Sequence, residues 1–503
     1  MLDPFTCAAL AAIILLGLLY ISTWHRSAPP RCPRYPHTDP IFGSDFQKKT
    51  QAATAQGQRQ AWFRANFHSL GRTFEVKQWG KRIIHTCDPA NAQFILYTQF
   101  ERFGLGPSRR PSRPWLGEGI FTMDGEVWRK ARELVKPIFL KEQIADLARL
   151  ERHLARLFGE LDKAGHVVDL QPLFLRMYLD YSIDLLFGDD VNTISGESAK
   201  IDADVFIDAC DQSLLQVVRS QTPWPLRWYY GWTKTWNQPF HLSQAFVDRH
   251  VDTALQTAQN KVPNTETSSP AFIDQLVQHT RSPDRLYLRN QMLNIFFPAR
   301  DAAGIAISLI IFFLARNPAV YTRVRTEVQQ HTGGSSKSVD TLTYNAVKRL
   351  TYTNAVVNET LRLYGPTGHM HRDVLADTTL PHGSGADGSQ PLFVRKGSAV
   401  VIHMHAIQRD AAAWGSDANV FRPERWLEAS TAAQRRAWEY LPFSGGPRVC
   451  PGQAMMLAQL VYIVARFALT YSEIRNVDVE EELVEEHRIL MKIRNGVQVR
   501  LVE

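Results

Sequence analysis

The stretch FSGGPRVCPG, from Phe443 to Gly452, is the part of this sequence that decides the fold. It places Cys450 on a loop rich in glycine and proline, directly before an apolar run from Gln453 to about Leu469 that predicts a helix. The helix dipole and the neighbouring Arg448 both favour the thiolate form of a cysteine at this position. A thiolate in a dry pocket can be the axial ligand of a haem iron, whereas the alternative is a structural cysteine on a surface turn.

The composition narrows the class of protein. A chain of 503 residues that is 45% hydrophobic fits one large enzyme domain or two average domains. Its five cysteines are scattered, odd in number and without C-x-x-C spacing, which argues against a disulfide framework and a zinc site. The net charge of +7 is modest and the sequence has no basic block, so nucleic acid is not an expected partner. A mild basic excess suits an anionic membrane surface or an acidic protein partner.

The N-terminal residues predict a membrane anchor. Residues 5–21 carry no charge, and their length is about the lower limit for a helix that spans a bilayer. Positive residues follow this segment, so the body of the protein is expected in the cytosol, with a cleaved signal or a monotopic anchor as alternatives. Several prolines between Pro29 and Pro40 then predict a stiff hinge. The expected organisation is an anchor over residues 1–24, a proline-rich hinge over 25–40 and one domain over 41–503.

Helical periodicity dominates the remaining sequence. It extends from Gly125 to about Leu186 and returns from Asp340 to Tyr364. Alternating residues from Phe74 to Ile84 predict a strand, and residues 378–402 predict strands with glycine turns. The fold class is therefore mainly α with small β-sheets. Polar stretches predict two surface loops, at residues 261–270 and 329–338.

The segment GIFTMDGEVWRKAR, residues 119–132, predicts an anion-binding helix face. Asp124 can cap a helix that begins at Gly125, and Trp128 and Arg132 then lie four residues apart on one face. An indole N–H and a guanidinium on the same face can hold a carboxylate. The alternative is a cation–π stack of this pair on a surface helix.

A long helix is predicted from Asn294 to Leu314, and because it is apolar on most sides it is expected to be buried. Asp301 lies in its middle, next to Arg300, and a buried acid is costly unless it is paired or functional. Pro298 removes a backbone hydrogen bond and should kink the helix. Ser308 lies about 10 Å beyond Asp301 along the axis, too far away for its hydroxyl to act at the position directly after Asp301.

These motifs together resemble those of the cytochrome P-450 haem-thiolate monooxygenases. The spacing F-x-x-G-x-R-x-C-x-G is complete in residues 443–452, and Trp128 and Arg132 match the W-x-x-x-R helix. The detailed sequence of residues 117–132 and 421–426 resembles that of the fungal microsomal branch of this family, which hydroxylates n-alkanes and fatty acids at the chain end. The resemblance implies the cytochrome P-450 fold behind a single N-terminal transmembrane helix, with residues 41–503 as the haem-thiolate monooxygenase domain.

The resemblance also assigns expected roles to individual residues. Haem b is expected to bind through the Cys450 thiolate as axial iron ligand, and Asp301 is expected to relay protons. A structural role, behind the haem, is expected for the triad Glu359, Arg362 and Arg425. The expected cofactor-binding residues are Trp128, Arg132, Arg372, Phe443, Arg448 and Gly452. The residues expected to border the substrate cavity are Phe297, Ala302, Thr367 and His369, and neither His369 nor His371 is expected to bind a metal.

One departure from the family pattern concerns the long helix. Ala302 and Ala303 stand where the family usually has threonines, and a hydroxyl at the first of these positions helps to deliver protons. Three explanations stay open: Asp301 with an ordered water suffices, a substrate hydroxyl supplies the donor, or the chemistry is less ordinary, including a slow or uncoupled reaction.

The implied function is insertion of one oxygen atom of dioxygen into a small apolar substrate, either fatty-acyl or alkane-like or a fungal secondary metabolite. Electrons are expected from NADPH through NADPH–cytochrome P-450 reductase, because the chain has no flavin or nicotinamide fingerprint. Cytochrome b5 is a further candidate partner, and the lipid bilayer is the third. Arg129 and Lys130 either contact the acidic reductase or serve surface solubility.

The implied location is the endoplasmic reticulum membrane, with a single pass and a cytosolic catalytic domain. Two other functions stay open. The first is a haem-thiolate enzyme that rearranges or dehydrates an oxygenated substrate without an external reductase. The second is a non-catalytic haem sensor or carrier.

Overall fold

The computed structural model describes residues 32–139, 144–164, 167–195, 201–220, 236–260, 270–280, 284–333, 341–428, 437–488 and 490–503. The anchor predicted over residues 1–24 and the first part of the hinge lie outside these residues. Most of the loop predicted at 261–270 also lies outside them.

Helices form most of the described structure, which confirms the expected fold class. They are α1 Ser44–Ala55, α2 Arg59–Leu70, α3 Pro89–Gln93, α4 Arg113–Leu116, α5 Gly125–Leu134, α6 Ala148–Ala164, α7 Leu170–Phe187, α8 Ile201–Arg219, α9 Gln238–Asn260, α10 Phe272–His279, α11 Arg285–Arg316, α12 Pro318–Thr332, α13 Tyr344–Arg349, α14 Thr351–Leu363, α15 Met404–Ile407, α16 Ala411–Trp414 and α17 Gln453–Thr470. Because α12 continues to Thr332, the first four residues of the loop predicted at 329–338 are helical.

The strands form small sheets at the edge of the helical body. They are β1 Thr73–Gln78, β2 Lys81–Thr86, β3 Phe103–Gly104, β4 Val167–Asp169, β5 Met370–Val374, β6 Thr378–Ser384, β7 Gln390–Val394, β8 Ala399–Ile402, β9 Glu473–Asn476, β10 Glu485–His487, β11 Met491–Ile493 and β12 Gln498–Val502. The largest sheet has the order β1-β2-β8-β5-β3, in which β2 and β8 are parallel and the other pairs antiparallel. The others are β4-β12-β9, β6-β7 and β10-β11.

The prediction of one strand from Phe74 to Ile84 is wrong, because the chain reverses in the middle. Trp79 and Gly80 have φ values of 50° and 74°, and β1 and β2 pair antiparallel on either side of them. Two successive residues with positive φ make the tight hairpin turn whose twist matches paired strands. Tryptophan is an unusual residue for such a turn, so the alternating pattern gave no sign of it.

The described residues of the expected hinge are packed on the domain. Cys32 and Tyr35 are buried, and the Tyr35 N–H donates to the Glu75 carbonyl of β1 at 2.9 Å. His37 bonds through Nδ1 to Asp45 Oδ1 of α1 at 2.8 Å. The folded body therefore begins before residue 41.

The long helix α11 runs through the centre of the body. It begins earlier than predicted, because the Asp284 side chain accepts a hydrogen bond from the Tyr287 N–H at 2.9 Å and caps the first turn. Pro298 lies inside it without ending it. Both α11 and α17 are long and apolar enough to cross a bilayer, yet 67% and 72% of their most apolar windows are buried in the body, as in core helices.

Candidate active site

The cysteine loop is held by its own backbone and by a neighbouring turn. The Cys450 N–H donates to the Phe443 carbonyl at 3.0 Å, which closes the loop. Gly446 has a φ of 69°, and a Cβ there would lie 1.9 Å from the Leu96 carbonyl oxygen. Only glycine fits this close approach. A Cβ on Gly452 would lie 3.4 Å from the Phe139 ring, so the start of α17 also lies against another element.

The charge near the Cys450 thiol comes from a different arginine than the sequence predicted. Burial raises the pKa of this thiol, and the opposing influences are the N–H groups of Gly452 and Gln453 and the charge of Arg132. The expectation that Arg448 and the helix dipole make the thiol ionise easily in the chain alone is therefore wrong, since burial outweighs them. Cys450 is nevertheless exposed in the chain alone.

Four arginines lie near one another beside the cysteine loop, and of these Arg372 is buried and Arg109, Arg132 and Arg448 are half-buried. Burial and the charges of Arg448 and Arg109 lower the pKa of Arg372 to about 9. Burial also lowers the pKa of Arg448 to about 10, with Asp124 as the main opposing charge. The pKa values of Arg109 and Arg132 are lowered by burial too. Four guanidinium groups thus lie in one region, and the described carboxylates do not fully neutralise their positive charge.

The contacts of Arg448 and Arg372 show which guanidinium groups lack a counter-charge or a hydrogen-bond partner. Arg448 donates through Nη2 to Asp124 Oδ1 at 2.7 Å and stacks over the Trp128 ring at 4.4 Å, while its buried Nε has no partner in the described structure. Arg372 donates through Nη1 to the His371 carbonyl at 2.9 Å. Two carboxylates of one ligand would supply the missing counter-charge, so these residues fit a haem with two propionates.

Two residues of this region have contacts that the sequence did not indicate. Asp124 stands at the N-cap of α5 but makes no capping bond; its carboxylate accepts from the N–H groups of Leu105 and Gly106 and from Arg448. Arg109 was missed, although it is half-buried and lies over the Phe121 ring at 4.3 Å. It belongs to a short run without helical or strand periodicity, so its place in space had no signal in the sequence.

Helix α11 presents Asp301 and its neighbours. Burial raises the pKa of the Asp301 carboxyl, and Arg300 opposes this through a hydrogen bond from Nε at 3.1 Å. Arg300 also pairs with Asp211 of α8, so it links the two helices. Ala302 is half-buried and Ala303 is buried.

The other residues considered on α11 lie in different surroundings. Phe297 packs edge-on against the rings of Trp115 and Phe121, at centroid distances of 5.3 and 5.4 Å. The Ser308 hydroxyl donates to the Gly304 carbonyl of its own helix at 2.7 Å. Ser308 is thus turned into the helix, in agreement with the expectation that it does not replace the missing threonine.

The triad Glu359, Arg362 and Arg425 is in contact and has no exposed side-chain surface. Arg362 donates to both Glu359 oxygens, at 2.8 and 2.9 Å, and Arg425 donates to Glu359 at 3.0 Å. The other guanidinium N–H groups donate to carbonyls of Gln408, Ala418, Trp414 and Asp417. This network holds α14 to the segment around Arg425.

The remaining predicted residues are not gathered at the cysteine loop by any described contact. Thr367 is exposed, and His369 bonds to Arg59 and stacks on His403. Arg129 pairs with Glu101 at 2.6 Å and with Glu126, so it already has partners within the chain. Lys130 is exposed.

A thiol on a loop that requires glycine, beside arginines whose charge the described carboxylates do not fully neutralise, fits a haem-thiolate protein. The chain belongs to the cytochrome P-450 family, whose model matches residues 33–499. This membership confirms the family inferred from the motifs and the enzyme class, a cytochrome P-450 monooxygenase. It also implies haem with a cysteine thiolate ligand.

Several proteins similar to this chain come from fungi. It is 35% identical to the cytochrome P-450 monooxygenase himC of Aspergillus japonicus, over 93% of this chain and 82% of that protein. It is 36% identical to cytochrome P-450 52A3-A of Candida maltosa, over 79% of this chain and 77% of that protein. It is 33% identical to the cytochrome P-450 monooxygenase apdE of Emericella nidulans, over 90% and 85%.

Proposed function

We propose that the chain is a membrane-bound monooxygenase that inserts one oxygen atom of dioxygen into an apolar substrate. The observation that carries the proposal is the incompletely neutralised arginine cluster beside the Cys450 thiol. Haem b, bound through this thiolate, supplies the oxygen chemistry. The substrate is fatty-acyl or alkane-like, or a fungal secondary metabolite, and the aromatic packing around Phe297 supports an apolar one.

The residues of the chain have separable tasks in this proposal. Cys450 ligates the iron, and the propionates are held by Trp128, Arg132, Arg372 and Arg448, with Phe443 and Gly452 shaping the loop. Arg109 joins the propionate-binding set on the strength of its burial and charge. Asp301 holds and passes a proton at its carboxyl oxygen, which its raised pKa supports. Glu359, Arg362 and Arg425 keep the structure behind the haem rigid.

Electrons come from NADPH through a separate NADPH–cytochrome P-450 reductase, with cytochrome b5 as a second donor. The exposed Lys130 on α5 supports a basic contact for an acidic reductase, because the same helix carries Trp128 on its buried face. Arg129 contributes less to such a contact, since Glu101 and Glu126 already compensate its charge.

The protein is held at the endoplasmic reticulum membrane by a single N-terminal helix, with its catalytic domain in the cytosol. Three exposed apolar residues support a membrane-facing surface next to this end of the chain: Ile41, Phe42 and Trp79. The rings of Phe42 and Trp79 lie 5.9 Å apart, so they form one patch. Tryptophan is a typical residue of membrane interfaces.

A second candidate function is a rearrangement or dehydration of an oxygenated substrate without an external reductase. Ala302 and Ala303 favour it, because the hydroxyl that helps to deliver protons is missing. Dependence of turnover on NADPH separates the two functions. A haem sensor or carrier is the third candidate, and any substrate turnover excludes it.

The proposed function is tested through the iron ligand. Cys450→Ala is expected to abolish haem incorporation or activity, whereas Cys87→Ala, a matched change at a buried cysteine, is expected to keep both. The measurement is the reduced, carbon-monoxide-bound absorption spectrum. A Cys450→Ala protein with the unaltered wild-type spectrum would refute the ligand assignment.

A further inference from the structure

Arg300 is shared between two carboxylates that lie on different helices. Its Nε donates to Oδ2 of Asp301, the next residue of α11, at 3.1 Å, and its Nη2 donates to Oδ1 of Asp211 on α8. The arginine side chain is 8% exposed, whereas the side chains of Asp301 and Asp211 are 37% and 46% exposed. One buried guanidinium group therefore joins a carboxylate of α8 to the acid that is expected to relay protons.

These three side chains contain more negative than positive charge. With both carboxylates ionised they carry one net negative charge, and the set becomes neutral when one carboxylate takes up a proton. A net charge is costly where burial limits its contact with water, so the neutral set is favoured. Asp301 is the less exposed of the two acids, and it is therefore the one expected to hold the proton.

The other groups that act on Asp301 do not reverse this balance. Lys492 of β11 lowers the pKa of Asp301, but this lysine already pairs with Glu486 at 3.4 Å. Cys210 of α8 is buried, and burial raises the pKa of its thiol to about 12, so this group is uncharged near neutral pH. Burial is the main cause that raises the pKa of Asp301, and the charge of Asp211 adds to it.

Apolar packing holds α8 in the place that this contact needs. Phe206 and Cys210 of α8 are buried in one cluster with Phe296 of α11, and the rings of Phe206 and Phe296 lie 5.0 Å apart. Phe296 and Arg300 are four residues apart, so they lie on the same face of α11. The apolar contact and the ion pair thus join the same two helices, and the packing keeps Asp211 within reach of Arg300.

We propose that Asp211 is a positioning residue for proton transfer, which holds Arg300 from the neighbouring helix and thereby keeps a proton on Asp301. The inference rests on the proposed function, in which Asp301 gives up this proton from its carboxyl oxygen and regains one from water. Asp211 acts through Arg300 and through its own charge, and the proton itself stays on Asp301 until it is passed on. The alternative is that the pair of Asp211 and Arg300 only ties α8 to α11.

The test is an infrared titration of Asp301 in the purified, full-length holoprotein. The band of the protonated carboxyl group is assigned by its loss in Asp301→Asn. In Asp211→Asn a like charge is removed and Arg300 is left to Asp301 alone, so the band should disappear at lower pH than in the wild type. In Arg300→Gln the band should persist to higher pH. A purely structural link predicts no such opposite shifts, because both substitutions break the same contact between the helices.

NADPH oxidation with dodecane as the probe substrate gives the second measurement. On the falling limb of its pH profile, Asp211→Asn is expected to be several-fold slower than the wild type, and below this limb the two rates should agree. Asp211→Glu restores the charge and should bring the titration and the rate back towards the wild type. Asp208→Asn, at an exposed acid one turn earlier on α8, is the matched control and should match the wild type in both measurements.

Three results would overturn the inference. The first is an Asp301 band that titrates in Asp211→Asn as in the wild type, or at higher pH. The second is an equal shift in Asp208→Asn, because a general loss of negative charge on α8 would then explain both. The third is an Asp211→Glu protein that titrates like Asp211→Asn. A failure of the proposed function is distinguishable: opposite infrared shifts in a protein without NADPH-dependent turnover would keep the action of Asp211 on Asp301 and refute the monooxygenase function.

Discussion

The molecule buries two groups of arginines, and they differ in how their charge is balanced. Around Glu359, two guanidinium groups meet a carboxylate and several backbone carbonyls, and all three side chains are completely buried. Around Arg372 and Arg448, guanidinium groups depress one another's pKa values, and a buried Nε has no partner. The first group is complete within the chain. We propose that an anionic ligand completes the second, so that the first group is a structural network and the second a binding site.

The largest effect is expected from a substitution in the triad of Glu359, Arg362 and Arg425. Glu359→Gln leaves two buried guanidinium groups without their carboxylate, and removing one partner of a buried ion pair costs about 3–5 kcal/mol. We expect a strong loss of soluble, haem-loaded protein and a lower unfolding midpoint in urea. Glu126→Gln, at an exposed ion pair, is the control and should leave the midpoint unchanged. Similar midpoints for the two variants would contradict the structural role of the triad.

A substitution among the arginines around Arg372 and Arg448 should weaken haem binding rather than destabilise the fold. Arg372→Met removes a buried charge that the chain does not neutralise, so the unfolding midpoint of the haem-free protein should not fall. Haem should be lost about tenfold faster or more, because a charge-assisted hydrogen bond to a propionate is missing. Transfer of haem to apomyoglobin measures this rate.

The exposed Arg395 offers the matched control for that experiment. Arg395→Met should retain haem like the wild type. An Arg372→Met protein that keeps its haem but unfolds more easily would show that both groups of arginines are structural, and the contrast between them would fail.

A smaller effect concerns the proton on Asp301. Burial raises the pKa of its carboxyl and Arg300 lowers it, so Arg300→Gln should raise this pKa further. The protonated form then persists to higher pH. Since a proton relay loses its proton as pH rises through the pKa, the falling limb of substrate-dependent NADPH oxidation should move to higher pH in the variant.

Arg289→Gln is the control for this pH profile, because Arg289 lies on the same helix α11 as Arg300 and pairs with Asp248 of α9. Its profile should match the wild type. If the falling limb of the NADPH-oxidation profile stays in place in Arg300→Gln, or moves to lower pH, Asp301 is not part of the proton relay.

The smallest expected effect is a gain in the ratio of product formed to NADPH consumed. Ala302→Thr restores a hydroxyl next to Asp301, and the ratio of product formed to NADPH consumed should rise a few-fold if proton delivery limits coupling. Ser308→Ala should leave this ratio unchanged, because the Ser308 hydroxyl is bonded within its own helix. An unchanged ratio in Ala302→Thr would indicate that Asp301 with water, or a hydroxyl of the substrate, already suffices.

The sequence predicted those parts of the site that lie in short motifs. Trp128 and Arg132 are linked by helical spacing, and Arg448 and Cys450 share one loop, so local pattern sufficed for them. The sequence gave no indication of Arg109, because its place in the site depends on tertiary contacts with residues that are far away in the sequence.

The same reason explains what was missed elsewhere. A small cavity lined by Arg59, His369, His405 and His487 combines residues from α2, the loop before β5, α15 and β10, which are far apart in the sequence, and no local pattern indicated it. Asp124 was expected to cap α5, but the loop at Leu105 and Arg448 compete for the same carboxylate. Local propensity identifies a capping position, whereas tertiary contacts decide which groups its oxygens accept.

The central claim is that the Cys450 sulfur binds iron while the arginine cluster holds the propionates. Iron X-ray absorption spectroscopy on the purified wild-type holoprotein tests it most directly. We expect one sulfur neighbour of the iron, in addition to the porphyrin nitrogens, and its loss in Cys450→Ala. An iron surrounded by nitrogen and oxygen alone in the wild type would contradict the account.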